Sequence, residues 1–162
     1  MNIYLIGMMG CGKTAVGEKL AERCKRDFID IDRYIEQKTG MKISDIFNGQ
    51  GEPYFRQLES DALKELSAMG NAVISCGGGI VLNEGNIDIM KKSGRVIWLK
   101  RDAAETMRTV DTSTRPLLQT TENFLEIFEQ RKELYEKASD ISVDNAGSIT
   151  ETAAKICSLV CH

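Results

Sequence analysis

Positive charge is not in excess in this chain: 21 Lys and Arg stand against 24 Asp and Glu, for a net charge of -3. The broad basic footprint of a nucleic-acid binder is therefore missing, and an anionic ligand must be held by a local group of Arg and Lys. Long apolar runs are missing too, so no stretch suits a bilayer crossing. No basic segment with a cleavage site precedes the first apolar run, which argues against a secretory signal. The five cysteines, Cys11, Cys24, Cys76, Cys157 and Cys161, are odd in number and scattered, which excludes a regular disulfide framework. A cytoplasmic protein with reduced thiols is expected. Repeats, low-complexity tracts and inter-domain linkers are absent as well, so the 162 residues are expected to form one domain, 1–162.

What is present is alternation. The runs "NIYLI" (2–6), "DFIDI" (27–31), "AVISC" (72–76), "RVIWL" (95–99) and "DISV" (140–143) are short and rich in β-branched or aromatic residues. Between them lie helical patterns such as "YFRQLESDALKELSAMG", where Phe55, Leu58, Ala62, Leu63 and Leu66 form a stripe that stops at Gly70. Such alternation predicts an α/β fold built from βαβ units. Near-continuous apolar strands fit a parallel sheet covered on both faces. The segment "TVDTSTRPLLQTTEN" (109–123) breaks the pattern, and a polar loop of that length is expected to be a lid.

"GMMGCGKT" (7–14) follows the first predicted strand and opens a predicted helix, matching the phosphate-binding loop G-x-x-x-x-G-K-[ST]. Bare glycines let several backbone N–H groups close on a polyphosphate, and the helix offers its positive end to the same anion. Lys13 is then placed to reach the β/γ-phosphates and the Thr14 hydroxyl to bind magnesium. The glycine order differs from the dinucleotide-binding G-x-G-x-x-G, so a nucleoside triphosphate is expected.

In "DFIDID", Asp30 and Asp32 fall at the end of the second strand, where a period of two turns both to one side. Ligands of open parallel sheets sit beyond the carboxyl ends of the strands, so one carboxylate suits Mg2+ and the other an attacking hydroxyl. Capping of the next helix is the plainer role for either. "SCGGGIV" (75–81) offers backbone with no side chain to clash, where a small ligand can rest, although a sharp turn also uses glycine. Ser75 and Cys76 stand where many phosphate-loop proteins carry a metal carboxylate, which leaves Asp30 for the metal.

Together these segments resemble the shikimate kinase family, among the small nucleoside-monophosphate-kinase-like phosphate-loop enzymes. The likeness runs from Ile3 to about Leu159 and rests on "GMMGCGKT", "DFIDID", "IFNGQGEPYFRQLE", "CGGGIV", "STRPLL" and "RKELYEKASD", in order. It implies a three-layer α/β/α sandwich with a five-stranded parallel sheet in the order 2-3-1-4-5 and a mobile lid at about 109–123. The implied reaction moves the γ-phosphoryl of ATP to the 3-hydroxyl of shikimate, a step toward chorismate and the aromatic amino acids. The implied nucleotide contacts are Gly10, Cys11, Gly12, Lys13, Thr14, Ala15, Arg108 on the adenine, and Arg115 brought down by the lid. Thr14 and Asp30 are the implied Mg2+ residues, Asp30 through water. Asp32, Arg56, Gly77, Gly78, Gly79 and Arg131 are the implied shikimate contacts, and Lys13, Asp32 and Arg115 the implied catalytic residues. Shikimate and ATP are the expected partners, with no nucleic acid, no membrane and a monomeric chain.

Elementary chemistry agrees with that set. A guanidinium grips a carboxylate through two parallel hydrogen bonds, so Arg56 and Arg131 suit a small acid better than a neutral sugar. Taken singly, each also suits a surface ion pair on an amphipathic helix. Two rivals stay open: a gluconate-type or nucleoside-monophosphate kinase of the same build, and a nucleotide-dependent binding module. "DNAGSITETAA", after Val143, lacks the basic or proline-bearing stretch of some family members, so no nucleobase contact is assigned there. Cys11, beside a helix N-terminus and Lys13, is a candidate oxidation-sensitive thiol. Cys157, Cys161 and His162 fall short of the four ligands of a structural zinc site and read as part of an apolar helix end.

Overall fold

Five strands pair in parallel in the order β2-β3-β1-β4-β5 in the computed structural model, which describes residues 1–102, 104–106 and 121–161. They are β1 (Asn2–Ile6), β2 (Asp27–Asp30), β3 (Ala72–Ser75), β4 (Gly94–Lys100) and β5 (Ile141–Asp144). The expected strands are all present, and the order matches the one the resemblance implies.

Alternation along β1 explains the layering. Tyr4 and Ile6 point to one face, Ile3 and Leu5 to the other, and all four are buried. Ile3 and Leu5 meet Val16 and Leu20 of α1 (Lys13–Cys24) and Ala153 and Ile156 of α7 (Ile149–Val160). Tyr4 and Ile6 meet the larger layer formed by α2 (Ile31–Thr39), α3 (Ile43–Gln50), α4 (Glu52–Ser67), α5 (Glu84–Ser93) and α6 (Thr121–Ala138). A central strand covered on both sides is the burial pattern a parallel sheet requires. Trp98 is buried in this layer and packs against Tyr135, with ring centroids 5.8 Å apart.

Two boundaries differ from expectation for physical reasons. β2 stops at Asp30 because the Asp30 carboxylate caps α2, accepting from the backbone N–H of Asp32 (3.0 Å) and Arg33 (3.2 Å). Asp32 therefore stands in the first turn of a helix, and the period-two argument for its direction does not apply. On the other side of the expected lid, residues 121–123 already belong to α6, while 107–120 lie outside the described residues. No described helix is long and apolar enough to cross a membrane.

Candidate active site

The turn from β1 into α1 is a cradle for an anion. Gly12, immediately before α1, has φ 96°, and a β-carbon there would sit 2.5 Å from the Asn145 amide nitrogen. Only glycine fits both demands. Asn145 braces the loop from the end of β5: its Nδ2 donates to the Cys11 carbonyl (2.7 Å), and its Oδ1 accepts from the Thr152 hydroxyl (2.9 Å). Arg101, just past β4, donates to the Gly10 carbonyl at 3.2 Å. Lys13 is nearly buried, and its Nζ donates to the carbonyls of Gly7 (2.8 Å) and Met8 (2.9 Å). The first turn of α1 holds no acidic residue, so its positive end is not neutralised from within.

Beside the cradle, the Thr14 hydroxyl donates to Asp30 Oδ2 at 2.8 Å, while Asp30 Oδ1 caps α2. One carboxylate thus serves two purposes, fixing a helix and holding an oxygen beside Thr14. A hydroxyl and a carboxylate are hard oxygen donors, and Mg2+ is usually held by one or two carboxylates together with substrate phosphates. The pair fits that ion.

A cleft of about 710 Å³ opens from the phosphate loop past Asp30 and Asp32 to Arg56, Glu59 and the glycine triplet. Glu59 is fully buried, and its Oε1 accepts from Arg56 Nη1 at 3.1 Å. Arg56 also reaches Glu52 at 3.4 Å, so it is held from both sides. Burial pushes the Glu59 carboxyl up to about 7; Arg56 opposes the rise and Asp32 adds to it. Arg131, on α6, is 4% exposed, and its Nη1 lacks a hydrogen-bond partner among the described residues. A β-carbon on Gly78 would come within 3.5 Å of that nitrogen, and one on Gly79 would run into the Arg56 guanidinium. The glycines therefore leave open the space between two cations. Tyr135 hydroxyl donates to the Gly78 carbonyl and fixes the triplet to α6, and burial pushes its phenol up.

A family model described as shikimate kinase matches residues 9–161. The chain belongs to the shikimate kinase family. It is 40% identical over 156 residues to the shikimate kinase of Clostridium botulinum (strain Alaska E43 / Type E3), covering 96% of this chain and 94% of that one. It is 44% identical over 140 residues to the shikimate kinase of Sulfurihydrogenibium sp. (strain YO3AOP1), covering 85% and 84%. The structure of shikimate kinase from Acinetobacter baumannii in complex with shikimate superposes with a TM-score of 0.93 at 36% identity, covering 98% of this chain and 91% of that one.

Most residues expected at a shikimate kinase site converge on the one cleft. Gly10, Gly12, Lys13, Thr14, Ala15, Asp30, Asp32, Arg56, Gly77, Gly78 and Gly79 all line it, and Arg131 lies against the triplet. Arg108 and Arg115 lie outside the described residues, as does His162. Cys11 departs from expectation. Its side chain is turned into the core with 1% exposure, and its backbone N–H is spent on the Met8 carbonyl at 3.2 Å. The thiol is thus shielded from reagents. The stripe expected on α4 also shifts: the buried face contains Glu59, while Leu58 is only partly buried.

Glu59, Tyr135, Arg101 and Asn145 were not anticipated. For Glu59 a signal exists: it falls four residues after Phe55 and three before Ala62, so an acid occupies an apolar helix face. The other three act through contacts across the fold, which the sequence pattern does not encode.

Proposed function

We propose that these side chains divide between them the work of one phosphoryl transfer. The reaction follows from the family: ATP-dependent phosphorylation of the 3-hydroxyl of shikimate, giving shikimate 3-phosphate and ADP, in the pathway to chorismate and the aromatic amino acids. The observation that carries the residue assignment is the pair of guanidinium groups, Arg56 and Arg131, flanking the open glycine triplet in the cleft that begins at the phosphate loop.

Arg56 and Arg131 receive the substrate carboxylate and fix the ring, each through charge-assisted hydrogen bonds. Glu59 keeps Arg56 aimed, acting on it as a positioning residue. The backbone at Gly77, Gly78 and Gly79 lies against the ring and its hydroxyls. Asp32 takes the 3-hydroxyl and orients it toward the γ-phosphorus, accepting its proton as the new bond forms. Backbone N–H groups of Gly10 and of Gly12 to Ala15 hold the phosphates. Lys13 leaves the loop carbonyls to neutralise charge growing on the transferred group, where catalysis of this reaction is mostly positioning and electrostatics. Thr14 and Asp30 would hold Mg2+, which supplies further charge neutralisation when bound. Arg108 on the adenine and Arg115 on the phosphates, both outside the described residues, complete the set that the resemblance implies. Every group named belongs to one domain, 1–162, so a single chain suffices for the site; the reading is of a monomer that works in the cytoplasm without membrane or nucleic acid.

A coupled ADP-release assay tests the reaction, with shikimate, gluconate and AMP offered in turn. Shikimate alone should give turnover. Arg131→Ala tests the assignment of roles: truncating one side of a buried charged contact should weaken shikimate binding by about 2–5 kcal/mol and leave ATP affinity nearly intact. Equal losses for both ligands would refute the role given to Arg131.

A further inference from the structure

Three thiols far from the cleft meet at one point. Cys24 is the last residue of α1, Cys157 lies in the last turn of α7, and Cys161 caps that helix. The Cys24 sulfur is 3.1 Å from that of Cys157 and 2.9 Å from that of Cys161. All three sulfurs lie within 4.8 Å of one another, and each residue is half-buried.

Topology makes this meeting. Both helices follow strands of one parallel sheet and pack on the same face, so they run in the same sense and their C-terminal ends coincide. Helix C-termini carry partial negative charge and unsatisfied carbonyls, which favour a cation. Two such ends converge on the thiols, an observation independent of the sulfurs themselves. Plain apolar filling is a poor account of the cluster. Non-bonded carbons rest about 3.5–4.0 Å apart, sulfur is larger, and an S–H donor gains little from a sulfur acceptor.

We propose that Cys24, Cys157 and Cys161 form a thiolate site for one soft divalent cation of the zinc type, clamping the C-terminal ends of α1 and α7. Zinc–sulfur bonds of about 2.3 Å in a tetrahedron place the sulfurs about 3.8 Å apart. The cluster needs to open by less than roughly 1 Å to accept the ion. Cys157 and Cys161 are spaced i,i+4, which puts both ligands on one helix face. On binding, three S–H protons leave to solvent, three metal–sulfur bonds form, and a water molecule takes the fourth position; nothing is oxidised. The ligands bind as thiolates, so the ion must displace their protons and affinity should climb with pH. The site lies at the far end of the helix that opens on the phosphate loop, about 18 Å along its axis. The expected consequence is a staple on the fold that leaves the chemistry unchanged.

The full chain, kept reduced with a phosphine, would be titrated with Co2+ and then Zn2+. One equivalent of Co2+ should produce sulfur-to-cobalt charge-transfer absorption and the intense visible bands of a tetrahedral thiolate site, and Zn2+ should abolish both. Zn2+ should raise Tm in the parent protein. Cys24→Ser and Cys161→Ser should each lose the charge-transfer band and the Tm increment while keeping shikimate-dependent turnover within twofold, which also reports that they fold. Absence of the charge-transfer band in the parent protein, or its survival in Cys24→Ser, overturns the proposal.

Discussion

Single side chains in this cleft do more than one job, and that decides what their removal costs. Lys13 bridges the Gly7 and Met8 carbonyls and is also a cation of the phosphate cradle. Lys13→Ala should lower kcat by roughly 10²–10³-fold, the usual loss for one preorganised electrostatic group, read in the ADP-release assay. Glu59 yields a different test, because its carboxyl is raised from an ordinary 4.5 to about 7. Between those pH values the folded chain keeps a proton that the unfolded chain has lost. The share of stability that Glu59 sets is therefore fullest below pH 4.5 and falls as pH rises toward 7, by at most about 3 kcal/mol. Glu59→Gln should flatten that fall in urea unfolding followed across the window. An unchanged slope would mean that other groups set it.

At the scale of elements, the junction between β2 and α2 separates two roles of one aspartate. Asp30 caps α2 with one oxygen and meets Thr14 with the other. Asparagine caps helices as well as aspartate does but brings no charge. Asp30→Asn should keep most of the stability and raise the Mg2+ concentration needed for half-maximal rate. Asp30→Ala should do the same to Mg2+ and also lose about 1 kcal/mol of stability. If the two variants unfold at the same denaturant midpoint, the cap contributes nothing. The strands and the phosphate loop were legible as sequence because local pattern and turn chemistry fix them. The position of Asp32 was not, because a cap two residues upstream turned its strand into a helix.

For the whole molecule, the sheet order gathers loops from distant parts of the chain at one edge. On the proposed assignment shikimate and ATP bind only where those loops are assembled, so each should stabilise the fold by mass action. A non-hydrolysable ATP analogue with Mg2+ at 100 times its Kd should add about 2.7 kcal/mol, seen as a higher Tm, and Lys13→Ala should lose most of the increment at the same concentration. The sequence by itself determined the α/β architecture and the phosphate loop, since period, glycine placement and motif order are local properties of the chain. Only the tertiary structure decided which side chains stand behind them. Asn145 under the loop and Cys24 against Cys157 and Cys161 are contacts between residues more than a hundred positions apart. Glu59 was visible as an acid on an apolar face, but its meaning came from folding, which removes water and leaves Arg56 as its partner.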